Sequence, residues 1–492
     1  MRRTVLLILM ILVMLPAIGQ EVLPIRNCRP QLERIDLSKH MQRRASARSG
    51  SEGDVKENPL IGERRQLVVL AAFADQGFGG DSLSTMTKWD RILNTRNLVD
   101  EKYVGSMHDY FYDQSYGQFS LSFDLFYVVA DSMDKYHSTY IDDENSKYLV
   151  QDVISIIKDR VDDWGVYDWD NDDEVDQLLI IYAGEGQNTG GGTNTIWPHQ
   201  WWMSAHENCE RVPVTTGSET YYIDTYCAVS ELAGINDTFG TLCHEYSHCF
   251  GLPDLYYSTK QFWDQWDLMD YGNFSGNGLH PCGYSAFERA FVGWLSPVEL
   301  NNDTVIVGMK ALSDEPISYL IRNEGYADEY YLVENRQRKG WDESLPGSGI
   351  LVVHVDYDEE LFLTGYVNTD KEQRCVIIPA NDNPVVSNLN VKGWAYPYNN
   401  NNSLTNTSKP AAQLNNLNID GSLLMSKPIT GMAVTEGTAS FSFKNLLTSV
   451  PYVMDERLSG KAGWFTIDGR PLPGKPFVHG LYIHQGKVVL VR

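Results

Sequence analysis

Two histidines four residues apart, with a glutamate beside the first and a glycine and an aspartate at fixed offsets beyond, constrain this chain more than any other feature. The run is His244-Glu245-Tyr246-Ser247-His248-Cys249-Phe250-Gly251-Leu252-Pro253-Asp254. An i, i+4 spacing puts both imidazoles on one face of a helix, aimed at a common point. Gly251 lets the helix stop and the chain turn, so that Asp254 can return a carboxylate to that point. Two imidazoles, one carboxylate and an open fourth position describe a catalytic zinc; structural zinc sites close all four. Glu245 adjoins the ligands without being one, the place of a general base. The competing explanation is a helix with two core or solvated histidines by coincidence. The glycine and the acid at their offsets weigh against it.

Further segments make a resemblance specific. Trp266-Asp267-Leu268-Met269 follows the metal segment, and Tyr284-Ser285-Ala286-Phe287-Glu288-Arg289 with Val292-Gly293-Trp294 comes next. Upstream stand Met107-His108-Asp109-Tyr110-Phe111 and Asp113-Gln114-Ser115-Tyr116-Gly117. Downstream are Tyr331-Leu332-Val333-Glu334-Asn335-Arg336 and Leu345-Pro346-Gly347-Ser348-Gly349-Ile350-Leu351. Together these resemble the metzincin clan of zinc peptidases. Asp254, where most of that clan carries histidine, is similar to the immune-inhibitor-A-like secreted bacterial members. The resemblance spans about residues 65–445. It implies zinc held by His244, His248 and Asp254, Glu245 as catalytic base, and Met269 in the Met-turn below the metal. Tyr271 stands where some metzincins carry a tyrosine that stabilises the tetrahedral intermediate; a packing role is the competing assignment.

The implied fold is an α/β metzincin-like zinc peptidase domain over residues 63–300, followed by a β-rich module, a sandwich, over 301–445. Gln66–Phe73 reads as a first buried strand, and helices are expected near 83–98, 105–115 and 147–161. The last of these has the place of the helix that backs the sheet in metzincins. Val175–Tyr182 is a further buried strand, with Thr195–His199 and Tyr221–Tyr226 as later ones, one of them an edge for extended substrate. His199 is expected to be structural. Short strands with turn punctuation dominate after residue 300.

A second metal signal is Asp168-Trp169-Asp170-Asn171-Asp172-Asp173-Glu174-Val175-Asp176. Its oxygens at Asp168, Asp170, Asp172 and Asp176, with Glu174 between, imitate an EF-hand calcium loop. Asp173 replaces the turn glycine, and Leu179 stands where a bidentate glutamate belongs. The reading is open between a structural calcium site and a solvated acidic turn.

Arg2-Arg3 precede an apolar run from Val5 to Leu15 and a small-x-small site ending at Gly19. This is an export signal over 1–19, and no later stretch is apolar and long enough for a transmembrane anchor. Residues 20–62 read as the pro-segment of a zymogen, with Arg64-Arg65 the last basic cleavage site before the first strand. A net charge of −25, from 65 acids against 40 bases, disfavours nucleic acid and anionic membranes as partners. Of seven cysteines, Cys28 falls in the pro-segment, where a thiolate on the zinc is one reading and an incidental cysteine the other. The other six allow fifteen pairings. The tail, 446–492, is similar to the β-rich sorting tails of type IX secretion, which implies a Gram-negative source and a secreted or cell-surface address. A terminal β-hairpin closing the preceding module is the alternative.

The function expected from these features is a secreted zinc metalloendopeptidase acting on extracellular protein or peptide substrates. A surface adhesive or binding protein on the same scaffold is the alternative, and Glu245 discriminates, because a binding-only relic has no need of it. Substrate preference and oligomeric state are not legible.

Overall fold

The computed structural model describes residues 58–137, 144–444, 463–466, 470–476, 480–484 and 487–491. The expected export signal, Cys28 and the pro-segment up to residue 57 lie outside the described residues.

The first region contains strands β1 (Gly62–Phe73), β2 (Phe119–Ala130), β3 (Glu174–Val175), β4 (Leu178–Glu185), β5 (His199–Trp202), β6 (Val212–Thr216), β7 (Glu219–Ile223) and β8 (Thr225–Leu232). Its helices are α1 (Ser82–Asn94), α2 (Met107–Gln114), α3 (Ser146–Ile157), α4 (Phe239–Cys249) and α5 (Ala286–Phe291). The main sheet has the order β2-β1-β4-β8-β5. Four strands are parallel, and β5 runs antiparallel along the β8 edge. A parallel sheet is covered on both faces, which is why β1 reads as an unbroken apolar run. Val68, Leu70 and Ala72 face the core that contains α4, while Leu67, Val69, Ala71 and Phe73 face the core that contains α3. The expected backing helix is therefore α3, which presents Leu149, Val150, Val153, Ile154 and Ile157 to the sheet. A small sheet, β3-β7-β6, flanks this layer.

Strand β1 begins four residues before the expected Gln66, and this changes the status of Arg64 and Arg65. Both lie inside the strand, in register with Leu121 and Ser122 of β2, and Arg65 Nε donates to Asp124 Oδ2 at 2.8 Å. The backbone of this dibasic pair is therefore held in a ladder, while the Arg65 side chain stays exposed. The chain just upstream is also anchored: Asn58 Nδ2 donates to Val292 O at 3.1 Å, and Trp294 Nε1 donates to Leu60 O at 2.8 Å.

The second region is built of strands: β9 (Val298–Glu299), β10 (Thr304–Met309), β11 (Tyr319–Arg322), β12 (Glu329–Arg336), β13 (Gly349–Asp356), β14 (Cys375–Ile377), β15 (Ile429–Thr435) and β16 (Thr438–Phe443). They form a five-stranded sheet, β14-β13-β12-β11-β9, and a three-stranded sheet, β10-β16-β15. Side-chain alternation divides the faces of the larger sheet. Tyr331, Val333, Ile350 and Val352 share a core with Met432, Ala439, Phe441 and Phe443 of the smaller sheet. Leu332, Leu351, Val353 and Ile377 turn the other way and join the core that contains α4 and α5. The change of architecture near residue 300 thus falls inside one compact unit that extends to Asn445.

The tail forms a unit by itself. Strands β17 (Trp464–Thr466), β18 (Pro471–Leu472), β19 (Gly480–His484) and β20 (Lys487–Val491) pair antiparallel in the order β18-β17-β19-β20. No helix among the described residues is long and apolar enough to cross a membrane.

Candidate metal centre

Helix α4 carries the metal motif, and its surroundings fix it tightly. Leu242, Cys243 and Tyr246 pack into the core beneath the sheet. Gly240 allows the segment at Asn273 to approach: a Cβ there would lie 1.8 Å from the Asn273 carbonyl oxygen. Gly251 ends the helix with φ +89°, a left-handed value that glycine adopts without strain. The turn brings Asp254 back to the two histidines, as the spacing predicts.

Asp254 Oδ1 lies 3.2 Å from His244 Nε2 and 3.2 Å from His248 Nε2. His244, Glu245 and His248 also offer one ligand atom each within 4.8 Å of one another. All four residues are at most 3% exposed. The outer ring nitrogens are committed elsewhere: His244 Nδ1 bonds Leu268 O at 2.8 Å, and His248 Nδ1 bonds Leu252 O at 2.8 Å. A carbonyl can only accept, so each Nδ1 carries hydrogen, and each Nε2 is left to face the Asp254 carboxylate.

Without a cation this arrangement is electrostatically one-sided. Burial disfavours a charged His244, yet the bond to Asp254 and the charges of Glu245 and Asp254 override it and raise its pKa to about 9. Burial would also raise the Asp254 carboxyl, but the charge of His248 and bonds to both imidazoles hold it far below the usual carboxylate range. Two carboxylates and two imidazoles in a buried space call for positive charge at their centre. The donor set of two nitrogens and a carboxylate oxygen fits zinc.

The segment Trp266-Asp267-Leu268-Met269 lies against this centre. Met269 is fully buried, its N–H donates to Asp267 Oδ1 at 2.8 Å, and its carbonyl accepts from Leu255 N, next to Asp254, at 2.8 Å. Leu268 supplies the carbonyl that orients His244. Tyr271 packs its ring on Phe274, with centroids 4.9 Å apart. The tyrosine whose ring stacks on a ligand is Tyr256, 6.4 Å from the His244 centroid and buried. Sequence reasoning passed over Tyr256, although its place two residues after Asp254 was a usable signal.

His199 takes no part in this centre. Its Nδ1 bonds Trp197 O at 2.6 Å and its Nε2 bonds Tyr226 OH at 3.0 Å. The acidic loop is only partly assembled as expected. Asp168, Asp170 and Asp176 bring ligand oxygens within 4.8 Å of one another. Asn171 and Asp173 both take left-handed φ, +56° and +66°, which folds the loop inward. Asp172 accepts from the Glu174 N–H at 3.0 Å, and Glu174 pairs with Arg211. Burial is the main reason the Asp176 carboxyl is pushed well above its ordinary value, with Asp170, Asp172 and Asp168 adding to it. A cavity of about 380 Å³ joins this loop to His248 and Cys249 at the end of α4. Among the described residues no disulfide forms, so Cys209, Cys227, Cys243, Cys249, Cys282 and Cys375 are not bridged to one another.

Residues 90–294 match the family described as immune inhibitor A peptidase M6, catalytic domain. The chain is similar to immune inhibitor A of Bacillus thuringiensis subsp. alesti, 28% identical over 155 residues, which cover 27% of this chain and 22% of that protein. It is also similar to the pre-pro-metalloprotease PrtV of Vibrio cholerae serotype O1 (strain M66-2), 27% identical over 134 residues. That match covers 25% of this chain and 14% of the relative, so the aligned part spans less than a quarter of either relative's length.

Proposed function

Because residues 90–294 match the immune inhibitor A peptidase M6 catalytic domain, we propose that this chain is a secreted zinc endopeptidase that cleaves extracellular proteins. The observation that carries the reading is the convergence of His244, His248 and Asp254 on one buried point with Glu245 beside it. His244, His248 and Asp254 would hold the zinc, which would supply Lewis-acid polarisation of the scissile carbonyl and a more acidic water. Glu245 accepts the proton of the attacking water and returns it to the departing amine. The Leu268 and Leu252 carbonyls keep both imidazoles in the Nδ1–H tautomer. Strand β5, antiparallel at the sheet edge, is the element to which an extended substrate would add as a further strand.

The sheet order, with its one antiparallel edge strand, and the buried Met269 turn support the metzincin assignment. The core shared by the two C-terminal sheets supports the sandwich reading of residues 301–445. Asp168, Asp170 and Asp176 would hold a structural calcium that relieves the repulsion among them. The tail strands suit a sorting signal for a Gram-negative cell surface, and residues 20–62 remain the proposed pro-segment.

The test is cleavage of casein by protein starting at Asn58, so that the anchors of Asn58 and Leu60 are kept. Cleavage should be lost with a zinc chelator and restored by zinc. Glu245→Ala should bind zinc and fall about 10²–10⁴-fold or more in rate. Cleavage that persists in Glu245→Ala, or survives complete metal removal, contradicts the reading.

A further inference from the structure

The face that β12 turns toward the catalytic region changes character at its end. Leu332 is apolar, but the next two residues on that face are Glu334 and Arg336, both completely buried. Glu334 Oε2 accepts from Ala286 N, at the start of α5, at 2.6 Å. Arg336 donates to Trp266 O at 3.3 Å, to Gly283 O at 2.9 Å, and to both oxygens of Asp342 at 3.0 and 2.7 Å. It also reaches Glu334 at 3.3 Å. The guanidinium is thus spread beneath the Met-turn.

The turn residue between these contacts and the ligands is Asp267. Its Oδ1 accepts from Met269 N, and its carbonyl accepts from Gly272 N at 2.8 Å. Its other oxygen, Oδ2, and Glu288 Oε1 are buried and receive no N–H or hydroxyl donor. The two carboxyl groups are electrostatic neighbours. Burial, and then the charge of Asp267, push the Glu288 carboxyl well above the ordinary range. Glu288 Oε2 meanwhile accepts from Ser285 N at 2.6 Å.

Such a cluster is a poor way to gain stability. Buried ion pairs are often matched or exceeded by apolar residues of similar volume. This cluster is placed one peptide away from two of the metal contacts. Above Asp267, Leu268 O orients His244, and Met269 O holds the backbone beside Asp254.

We propose that Arg336 and Glu334 of the C-terminal sheet, with Asp267 and Glu288, are positioning residues of the metal centre, acting through the Met-turn on His244 and Asp254. The inference rests on the zinc-site reading above. It makes the β-rich region part of the catalytic unit, although the family match ends at residue 294.

The experiment measures zinc Kd by chelator competition in the Glu245→Ala protein, which cannot digest itself, alongside thermal unfolding without metal. Arg336→Lys, which cannot reproduce the forked contacts, should weaken zinc about 10–100-fold at temperatures where near-UV circular dichroism shows a native fold. Asn335→Ala, on the opposite face of β12 where Asn335 bonds Met309 O and Gly437 O, should lower the unfolding temperature and leave zinc Kd unchanged. If Arg336→Lys does not fold, Glu334→Gln decides, with about tenfold weakening expected. Folded Arg336 or Glu334 variants with parental zinc Kd overturn the proposal, as does a loss in Asn335→Ala equal to that in Arg336→Lys. A parent that binds no zinc overturns the zinc-site reading together with it.

Discussion

Two buried histidine pairs in this molecule behave in opposite ways. His244 and His248 face a carboxylate; His199 and His206 face a phenol. Tyr226 OH lies 3.0 Å from His199 Nε2, 2.8 Å from His206 Nε2 and 2.7 Å from Ser146 Oγ. Among the described residues, the charges that bear on this second pair are Glu144, 3.5 Å from His206 Nδ1, and Lys147, bound to Glu144 at 3.1 Å. Burial therefore dominates and lowers both His199 and His206 to about 4. At the metal centre the same burial is outweighed by Asp254 and Glu245, and His244 rises to about 9. Burial alone does not decide what a histidine does. The charge facing Nε2 separates a cation site from a neutral strut.

The most disruptive way to break the contrast is to remove that charge. Asp254→Asn should weaken zinc by at least about 10–100-fold, and in the metal-free protein it should carry the His244 pKa down toward the range of His199. Zinc competition and imidazole NMR titration would check the two effects.

Acidification should act on the other pair. Because the folded-state pKa values of His199 and His206 lie below the ordinary 6.5, the unfolded chain takes up protons first as pH falls. Stability is then lost between about pH 6.5 and 4, with a contribution approaching about 2.7 kcal/mol per pH unit for two histidines. Chemical unfolding at successive pH values, comparing the parent with His206→Gln, would show whether the slope falls when one histidine is removed.

Tyr226→Phe sharpens the contrast without touching the metal. It removes the shared hydroxyl and should cost about 1–3 kcal/mol for each buried group left unsatisfied, with zinc Kd unchanged. A change in zinc affinity would couple the two pairs and contradict their independence. The smallest effect expected is from calcium, which should raise the unfolding temperature by a few degrees in the parent and less in Asp170→Asn.

The metal centre was legible in the sequence because its determinants are local. Helical spacing fixes His244 and His248, and Gly251 fixes the return of Asp254. Met269 and the Glu334–Arg336 segment were visible through family resemblance. What Arg336 does was not, because its reach to Trp266 depends on how β12 lies against α5. The Tyr226 network escaped for the same reason, joining residues from three separate elements. The acidic loop was half legible. Its aspartate spacing is local, but Arg211, which draws Glu174 away, enters from β6's leading edge. Arg64 and Arg65 read in the sequence only as a basic pair, because nothing local shows that their backbone belongs to a long parallel ladder with β2.

The most direct test of the account is zinc-edge X-ray absorption on protein reconstituted with one equivalent of zinc. Two imidazole nitrogens at about 2.0–2.1 Å, with the remaining ligands oxygen at about 2.0–2.2 Å, are predicted for His244, His248 and Asp254. Sulfur at about 2.3 Å, or fewer than two imidazoles, would contradict it.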